Sequence, residues 1–173
     1  MLSFEVMPHH ALILIGPPGS GKSTFGQWLA EKNHIPFFDL DRMIEEKYRV
    51  SIPELFQRKN ESYFRVLEFQ CLNEFQKRAL PSKYILSTGG GTILSFQNRQ
   101  ILKKLGKVVY LKTSYETILQ RVLEEERPLF KDKTEESVRI ILKEREKYYN
   151  ECDVTLDTEG KSVTQIYKEL TEV

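Results

Sequence analysis

The sequence predicts an α/β fold, in which a parallel sheet is covered by helices on both faces. Apolar, strand-like runs alternate with helical patterns along the whole chain. The run ALILIG at 11–16 is continuously apolar and closes on a glycine, as a central parallel strand does. No internal repeat or low-complexity linker interrupts this alternation, so we expect one domain over residues 1–173.

The predicted elements follow one another in a regular order. Strands are expected at 11–16, 35–41, 84–88, 107–113 and 153–158. Helices are expected at 22–33, at about 61–80 before Pro81, at 96–105 before Gly106, after Ser114, from Thr134 to about 151, and at 162–170. Ser51 and Glu54 form a capping-box pattern at the start of a further helix.

Composition narrows the class of protein. The chain has 173 residues, of which 40% are hydrophobic and 29% charged, as in an ordinary soluble domain. The formal net charge of +1 gives no electrostatic argument for a nucleic-acid or membrane partner. No stretch reaches the roughly 18 apolar residues of a membrane span, and the N-terminus lacks a secretory pattern. We therefore expect a cytoplasmic protein, a monomer by default, with Cys71 and Cys152 unpaired.

A phosphate-binding loop follows the first strand. GPPGSGKST at 16–24 satisfies G-x-x-x-x-G-K-[ST] in the required strand–loop–helix setting. The glycines let backbone N–H groups curl round phosphate oxygens, and the helix N-terminus adds its dipole. Lys22 is expected to neutralise the β- and γ-phosphates, and the Ser23 hydroxyl to ligate Mg²⁺. The loop predicts nucleotide binding but leaves the phosphate acceptor open.

Ligands of parallel sheets bind at the carboxyl ends of the strands. Besides the phosphate loop, this rule selects 39–41 and 88–91 in STGGGT. Strand alternation places the carboxylates of Asp39 and Asp41 on the same side of the second strand, and two such charges require a cation or a hydroxyl. Asp39 is a candidate to hold Mg²⁺ through water and Asp41 to act as a base. The alternative is that Asp41 only caps the following helix.

Two arginines stand on helices with apolar stripes. Arg145 lies on the stripe itself, where a charge needs a partner, either a small anionic substrate or an internal carboxylate. Arg65 lies at the edge of the stripe of its helix. Periodicity alone favours an exposed ion pair of Arg65 with Glu61 or Glu68, and such a pair would contribute little to the stability of the fold.

A third arginine, Arg127, lies in the polar stretch EEERPLFKDK between two helices. Pro128 breaks this stretch, which is typical of a lid that closes on the transferring phosphate. The alternative to a lid is a solvated loop, which is what a segment of such composition usually forms.

Together these segments resemble the shikimate kinase family, over roughly residues 10 to 170. The resemblance rests on GPPGSGKST, FFDLDRMIE, SIPELF, ESYFRVLE, STGGGT, RPL and KEREKYY, in this order. It implies the P-loop nucleoside-monophosphate-kinase-like three-layer fold with a five-stranded parallel sheet. It also implies transfer of the γ-phosphate of ATP to the 3-hydroxyl of shikimate, in the route to chorismate and the aromatic amino acids.

The resemblance further implies roles for single residues. The catalytic residues would be Asp41 as base, with Lys22 and Arg127 on the moving phosphoryl group. Mg²⁺ would be held by Ser23 and Asp39. Shikimate would contact Asp41, Arg65, Gly89, Gly90, Gly91 and Arg145, with Gly90 the foremost of the three glycines. ATP would contact Gly19, Ser20, Gly21, Lys22, Ser23, Thr24, Arg121, Arg127 and Lys161. The substrate-binding segment would be about 42–70 and the lid about 122–134.

The chain departs from the usual family pattern in places. Arg49-Val50 and Asn60 stand where the family usually has glycine, and the third strand ends in Ser87-Thr88 rather than in an aspartate. Two other functions stay open on the sequence. One is a different small-molecule kinase, such as a gluconate kinase, against which STGGGT and the placement of Arg65 argue. The other is a nucleotide-binding module without acceptor turnover.

Overall fold

The computed structural model describes residues 11–124, 130 and 133–173, with the side chains of 123 and 124 left aside. Within these residues, five strands form one parallel sheet in the order β2-β3-β1-β4-β5. The predicted α/β class with a five-stranded parallel sheet is confirmed. The strands are β1 (Ala11–Ile15), β2 (Phe37–Asp39), β3 (Tyr84–Ser87), β4 (Lys107–Lys112) and β5 (Val154–Asp157).

The helices connect the strands in the predicted alternation. None of those in the described ranges combines the length and apolarity that a membrane span requires. A short 3-10 turn at Thr92–Leu94 follows β3. The helices are α1 (Lys22–Asn33), α2 (Leu40–Tyr48), α3 (Ile52–Arg58), α4 (Glu61–Phe75), α5 (Phe96–Leu105), α6 (Tyr115–Glu124), α7 (Glu135–Tyr149) and α8 (Val163–Thr171).

The two faces of the sheet carry separate hydrophobic cores, because successive side chains of a strand point to opposite sides. Leu12 and Leu14 of β1 pack with α1 and α8 on one face. Ile13 and Ile15 pack with α2, α4, α5 and the end of α7 on the other. This confirms the expectation of helices on both faces.

The second strand is shorter than predicted, and the prediction of a strand over 35–41 is wrong at its end. β2 stops at Asp39, and α2 begins at Leu40. The Asp39 carboxylate accepts the backbone N–H groups of Asp41 and Arg42, at 3.1 and 3.3 Å, and so caps the helix. Because of this cap, Asp41 lies in the first turn of a helix and not beside Asp39 on a strand.

Helix α4 also ends earlier than expected, at Phe75 rather than near Leu80. The N–H groups of Lys77 and Arg78 bond to carbonyls three residues back, which marks a tightened final turn. The predicted helix included this turn because its residues favour helix.

The two departures from the family's glycines have different consequences. Arg49 ends α2 in the left-handed region, at φ 56°, where glycine is the favoured residue. Asn60 instead caps α4, since its side chain accepts the N–H of Tyr63 at 2.9 Å. Arg49 is therefore the strained replacement, and Asn60 supplies a hydrogen bond that glycine lacks. Among the cysteines, Cys71 is buried and Cys152 is partly buried, and the two do not pair with each other in this structure.

Candidate active site

Two cavities meet at the carboxyl ends of β1, β2 and β3. The large cavity, about 700 Å³, runs along the phosphate loop and has the size of a cofactor site. The small cavity, about 90 Å³, lies beside it against α3 and α4. Pro18, Asp41 and Gly90 line both cavities and form their shared wall.

The phosphate loop forms the floor of the large cavity. Gly16, Gly19 and Gly21 have φ of 149°, 79° and 85°, so the loop depends on backbone angles that side-chain-bearing residues rarely adopt. The Lys22 ammonium is buried and donates to the carbonyls of Gly16 and Pro17, at 2.9 and 2.8 Å. The loop residues predicted to contact ATP all line this cavity, namely Gly19, Ser20, Gly21, Lys22, Ser23 and Thr24.

Two cations from the C-terminal half, both predicted to contact ATP, line the same cavity. Arg121 of α6 donates to the carbonyl of Gly19 at 2.7 Å and lies directly over the phosphate loop. Lys161 lines the far side of the cavity and is paired with Glu169 at 2.8 Å. The cavity thus carries positive charge beyond the phosphate loop.

The predicted metal pair comes together beside the phosphate loop. The Ser23 hydroxyl donates to the Asp39 carboxylate at 2.7 Å and lies 3.4 Å from the Ser87 hydroxyl. Hydroxyl and carboxylate oxygens are hard donors that suit Mg²⁺. Over the described ranges no cluster of three or more acidic, histidine or cysteine ligands occurs. The donor set therefore fits a cation that completes its shell with water and phosphate, as Mg²⁺ does.

Ser87 was not among the predicted site residues. The sequence showed only that β3 ends without the usual acid. Register explains its position, because Ser87 pairs with Asp39 across neighbouring strands. Once β2 and β3 are known to be neighbouring strands, their aligned ends predict that Ser87 lies close to Asp39 and Ser23.

Asp41 lies on the wall between the cavities. Its Oδ1 atom is buried and has no hydrogen-bond partner within the part of the chain that the structure describes. Burial raises the pKa of Asp41 to about 7, with added effects of the Asp39 and Glu68 carboxylates, while Lys22 and Arg65 oppose the shift. The alternative in which Asp41 caps its helix is wrong, since Asp39 does so. The Asp41 carboxylate is thus left for a ligand.

Arg65 lies in the small cavity between two carboxylates. Its guanidinium contacts Glu61 and Glu68, each at 2.9 Å. The helical periodicity favoured these two partners, but the expectation that the ion pair is exposed is wrong, because Glu68 is fully buried. The Glu68 carboxylate also accepts a hydrogen bond from Thr92 Oγ1 at 2.6 Å. Burial lowers the pKa of Arg65, but the two glutamates outweigh it and raise the pKa overall.

Arg145 reaches the same cavity from α7 and is only 5% exposed. One terminal nitrogen, Nη1, is buried and has no hydrogen-bond partner among the residues that the structure describes. Burial, with a contribution from Arg65, lowers the pKa of the Arg145 guanidinium. Arg145 forms no ion pair with any carboxylate in the described ranges. Of the two partners that the sequence allowed, an anionic ligand is the one that fits these residues.

The three glycines of STGGGT are required by space rather than by backbone angle, since none of them has a positive φ. A Cβ on Gly89 would lie 2.8 Å from Asp41 Oδ1, and one on Gly90 would lie 2.5 Å from Pro18 Cδ. A Cβ on Gly91 would enter the guanidinium of Arg65. Gly90 therefore passes under the phosphate loop, while its neighbours make room for the two charged side chains.

The apolar walls of the small cavity were not predicted as site residues. These walls are formed by Ile52, Phe56 and Phe64. From the sequence, these residues were interpreted only as parts of capped or amphipathic helices. Phe130 is 3% exposed and closes the cavity from the predicted lid. Arg127 lies outside the described residues.

A phosphate loop at the end of a parallel sheet, with a cationic cavity beside it, defines a P-loop kinase that acts on small anionic molecules. Comparison with known proteins gives the family. A family model described as shikimate kinase matches residues 18–173, and the chain belongs to this family. The predictions of family, fold and enzyme class are therefore confirmed.

Individual relatives agree with this assignment. A shikimate kinase of Persephonella marina is 40% identical over 161 residues, which covers 92% of this chain and 95% of the relative. One of Enterococcus faecalis is 37% identical over 164 residues, with 92% and 95% covered. The structure of an Acinetobacter baumannii shikimate kinase in complex with shikimate matches with a TM-score of 0.85 and 36% identity, over 94% of this chain and 90% of that one.

Proposed function

We propose that this kinase transfers the γ-phosphoryl group of ATP to the 3-hydroxyl of shikimate. The observation that carries the proposal is the position of Asp41. Its carboxylate lies on the wall shared by both cavities, with one buried oxygen to which no group among the described residues forms a hydrogen bond. A base in this place can contact an acceptor hydroxyl on one side while the phosphate donor lies on the other.

The small cavity supports a planar, cyclic acid as the acceptor. Arg65 and Arg145 supply two guanidinium groups, whose flat forks suit a carboxylate. Ile52, Phe56 and Phe64 supply apolar surface for a carbon ring. The relative of Acinetobacter baumannii, whose structure contains shikimate, supports the same acceptor for this chain.

The large cavity supports ATP as the donor. Lys22 would leave the two loop carbonyls that it now contacts and bind the β- and γ-phosphates. Ser23 and Asp39 would hold Mg²⁺, which neutralises charge on the phosphate oxygens. Arg121 and Lys161 would flank the nucleoside.

The acceptor proton goes to Asp41 in this proposal. Asp41 accepts a hydrogen bond from the 3-hydroxyl and takes its proton as the oxygen bonds to phosphorus, and ADP leaves. The pKa of about 7 makes the carboxylate a stronger base than an exposed aspartate. Positive charge from Lys22 still keeps a fraction of it ionised at neutral pH.

Two chain segments are assigned to substrate handling. We infer that 42–70 binds the acceptor, because it carries Arg65 and the apolar wall of the small cavity. The segment 122–134 would be the lid, supported by the position of Phe130 against that cavity. Arg127 would stabilise the transferring phosphoryl group. A cytoplasmic monomer stays the expectation from composition.

The proposal is tested by ADP release with shikimate, gluconate and nucleoside monophosphates as parallel acceptors. We expect turnover with shikimate alone, and no turnover when Mg²⁺ is removed with a chelator. Turnover with gluconate or a nucleotide in place of shikimate overturns the acceptor. ATP binding without turnover of any acceptor overturns the catalytic proposal.

A pair of α7 variants tests carboxylate recognition. Arg145→Met removes the buried guanidinium at similar volume, and Arg139→Met removes an exposed one on the same helix. We expect the KM for shikimate to rise roughly ten-fold to a hundred-fold in Arg145→Met, as for a lost charged hydrogen bond, and to stay unchanged in Arg139→Met. Lost stability of Arg145→Met with an unchanged KM would mean that Arg145 only supports the fold.

A further inference from the structure

Tyr149 is the last residue of α7, one helical turn after Arg145. It is 1% exposed and stacks on Tyr110, with ring centroids 5.1 Å apart and an interplanar angle of 19°. Packing therefore fixes the ring, and the position of its hydroxyl follows from the ring.

The hydroxyl of Tyr149 connects two parts of the small cavity. It donates a hydrogen bond to the carbonyl of Gly90. Arg145 lies one turn earlier on the same helix and lines the same cavity as Gly90. One buried hydroxyl thus ties the glycine loop to the helix that carries Arg145.

The glycine loop has little freedom on its other side. Gly90 lies against Pro18 of the phosphate loop, Gly89 against the Asp41 carboxylate, and Gly91 against the Arg65 guanidinium. A small shift of the carbonyl of Gly90 changes the space beside Asp41 and Arg65 together. The hydrogen bond from Tyr149 can therefore fix the positions of Asp41 and Arg65, although Tyr149 contacts neither of them.

We propose that Tyr149 is a positioning residue for the acceptor, because its hydroxyl ties the loop 89–91 to α7, the helix that carries Arg145. It does not touch the reacting atoms and transfers no proton. Its main effect is on the binding of the acceptor, since all three residues of the loop 89–91 line the small cavity and, of these three, only Gly90 lines the large one. This inference rests on the proposed function, since it concerns the acceptor of that reaction.

The ordinary alternative is that Tyr149 is a core aromatic whose hydroxyl merely satisfies a carbonyl. Tyr84 offers the matched comparison, because it is also buried and its hydroxyl donates to a carbonyl, that of Leu105, at 3.4 Å. Both tyrosines belong to the same core, but the carbonyl that Tyr84 contacts belongs to a residue that lines neither cavity, whereas Gly90 lines both. A structural role predicts similar effects of removing either hydroxyl.

The test compares Tyr149→Phe with Tyr84→Phe in the whole protein. Both variants keep the ring and lose one hydroxyl, so both are expected to fold. We expect Tyr149→Phe to raise the KM for shikimate about ten-fold, with the KM for ATP within about two-fold of the starting protein. Tyr84→Phe should leave both constants unchanged. Thermal unfolding of both variants, with and without shikimate, separates folding from binding.

Each outcome decides between a positioning role and a purely structural role of Tyr149. A selective rise in the KM for shikimate, with a matching loss of stabilisation by shikimate, supports the inference. Unchanged constants in Tyr149→Phe, or an equal rise for both substrates, overturn it while the proposed function stands. If the unaltered protein does not phosphorylate shikimate, the proposed function fails first, and shikimate binding measured by calorimetry then decides about Tyr149 separately.

Discussion

The two glycine-rich loops of the site, 16–21 and 89–91, use glycine for different physical reasons. In the phosphate loop, Gly21 has φ 85° and nothing within 4 Å of an added Cβ, so its backbone angle alone requires glycine. In the second loop, Gly91 has an ordinary φ of −104°, but a Cβ would enter Arg65. The first loop is built by local conformation and the second by the approach of distant side chains.

This difference extends to the two cavities. The floor of the large cavity is one continuous stretch, 18–25, and remote residues such as Arg121 and Lys161 complete its walls. The small cavity has no such continuous floor and is assembled from separate segments, which contribute Asp41, Arg65, Gly91 and Arg145 among others. The phosphate-binding floor of the donor side is thus a property of one motif, and the acceptor side is a property of the packed fold. The predictions below test that contrast.

The largest expected effect is on the group that both cavities share. Asp41→Asn keeps the shape but removes the base, so kcat should fall roughly 10²- to 10⁴-fold, as for a lost general base. The KM for ATP should change little, because the phosphate loop is intact. Coupled ADP release measures both, with Glu172→Gln, an exposed change at the C-terminus, as the control. Near-normal turnover would exclude Asp41 as the base.

The pH dependence should report the same carboxyl. Because the base acts only when deprotonated, kcat/KM for shikimate should rise about ten-fold per pH unit up to a pH of about 7, and then level off. A profile that is flat between about pH 5.5 and 7.5 would contradict the raised pKa of Asp41.

Stability should follow the opposite trend. The folded-state pKa of about 7 exceeds the ordinary value of 3.8, so the native protein holds the extra proton between these values. The contribution of Asp41 to the free energy of unfolding is then full below pH 3.8 and is lost as the pH rises through 7. Asp41→Asn should flatten this trend in urea unfolding, and an unchanged trend would point to another group.

A pair of alanine variants tests the contrast between the loops. Gly21→Ala should raise the KM for ATP, because the left-handed backbone becomes strained, and leave shikimate binding alone. Gly91→Ala should raise the KM for shikimate at least about ten-fold, because Arg65 is displaced and a charged hydrogen bond is lost. Calorimetric titration with each substrate measures both. If the two variants impair both substrates alike, the cavities are not built independently.

The smallest expected effect is a change in stability at Arg49, which lies outside both glycine-rich loops. Arg49→Gly should raise the free energy of unfolding by roughly 0.5–1 kcal/mol, because glycine adopts the left-handed end of α2 without strain. Activity should be unchanged. His34 ends α1 at φ 54°, so His34→Gly provides a second site of the same kind. A loss of stability in both variants would mean that these side chains contribute more than the strain costs.

The amino-acid sequence determined the alternating fold, the phosphate loop and most of the residues that line the two cavities. Alternation of strand and helix is a local pattern, and the phosphate loop keeps its chemistry within nine residues. The boundary at Asp39 was missed because the strand pattern continues to Asp41, whereas a side-chain cap starts the helix earlier.

Tertiary structure alone decided the geometry and the electrostatics of the acceptor side. Only packing buries Glu68 behind Arg65, leaves a nitrogen of Arg145 without a partner and raises the pKa of Asp41. It also brings Ser87 to Ser23 and the hydroxyl of Tyr149 to Gly90. The physical reason is that burial and the distances between remote segments depend on how the helices pack on the sheet, and no local pattern of residues encodes those distances.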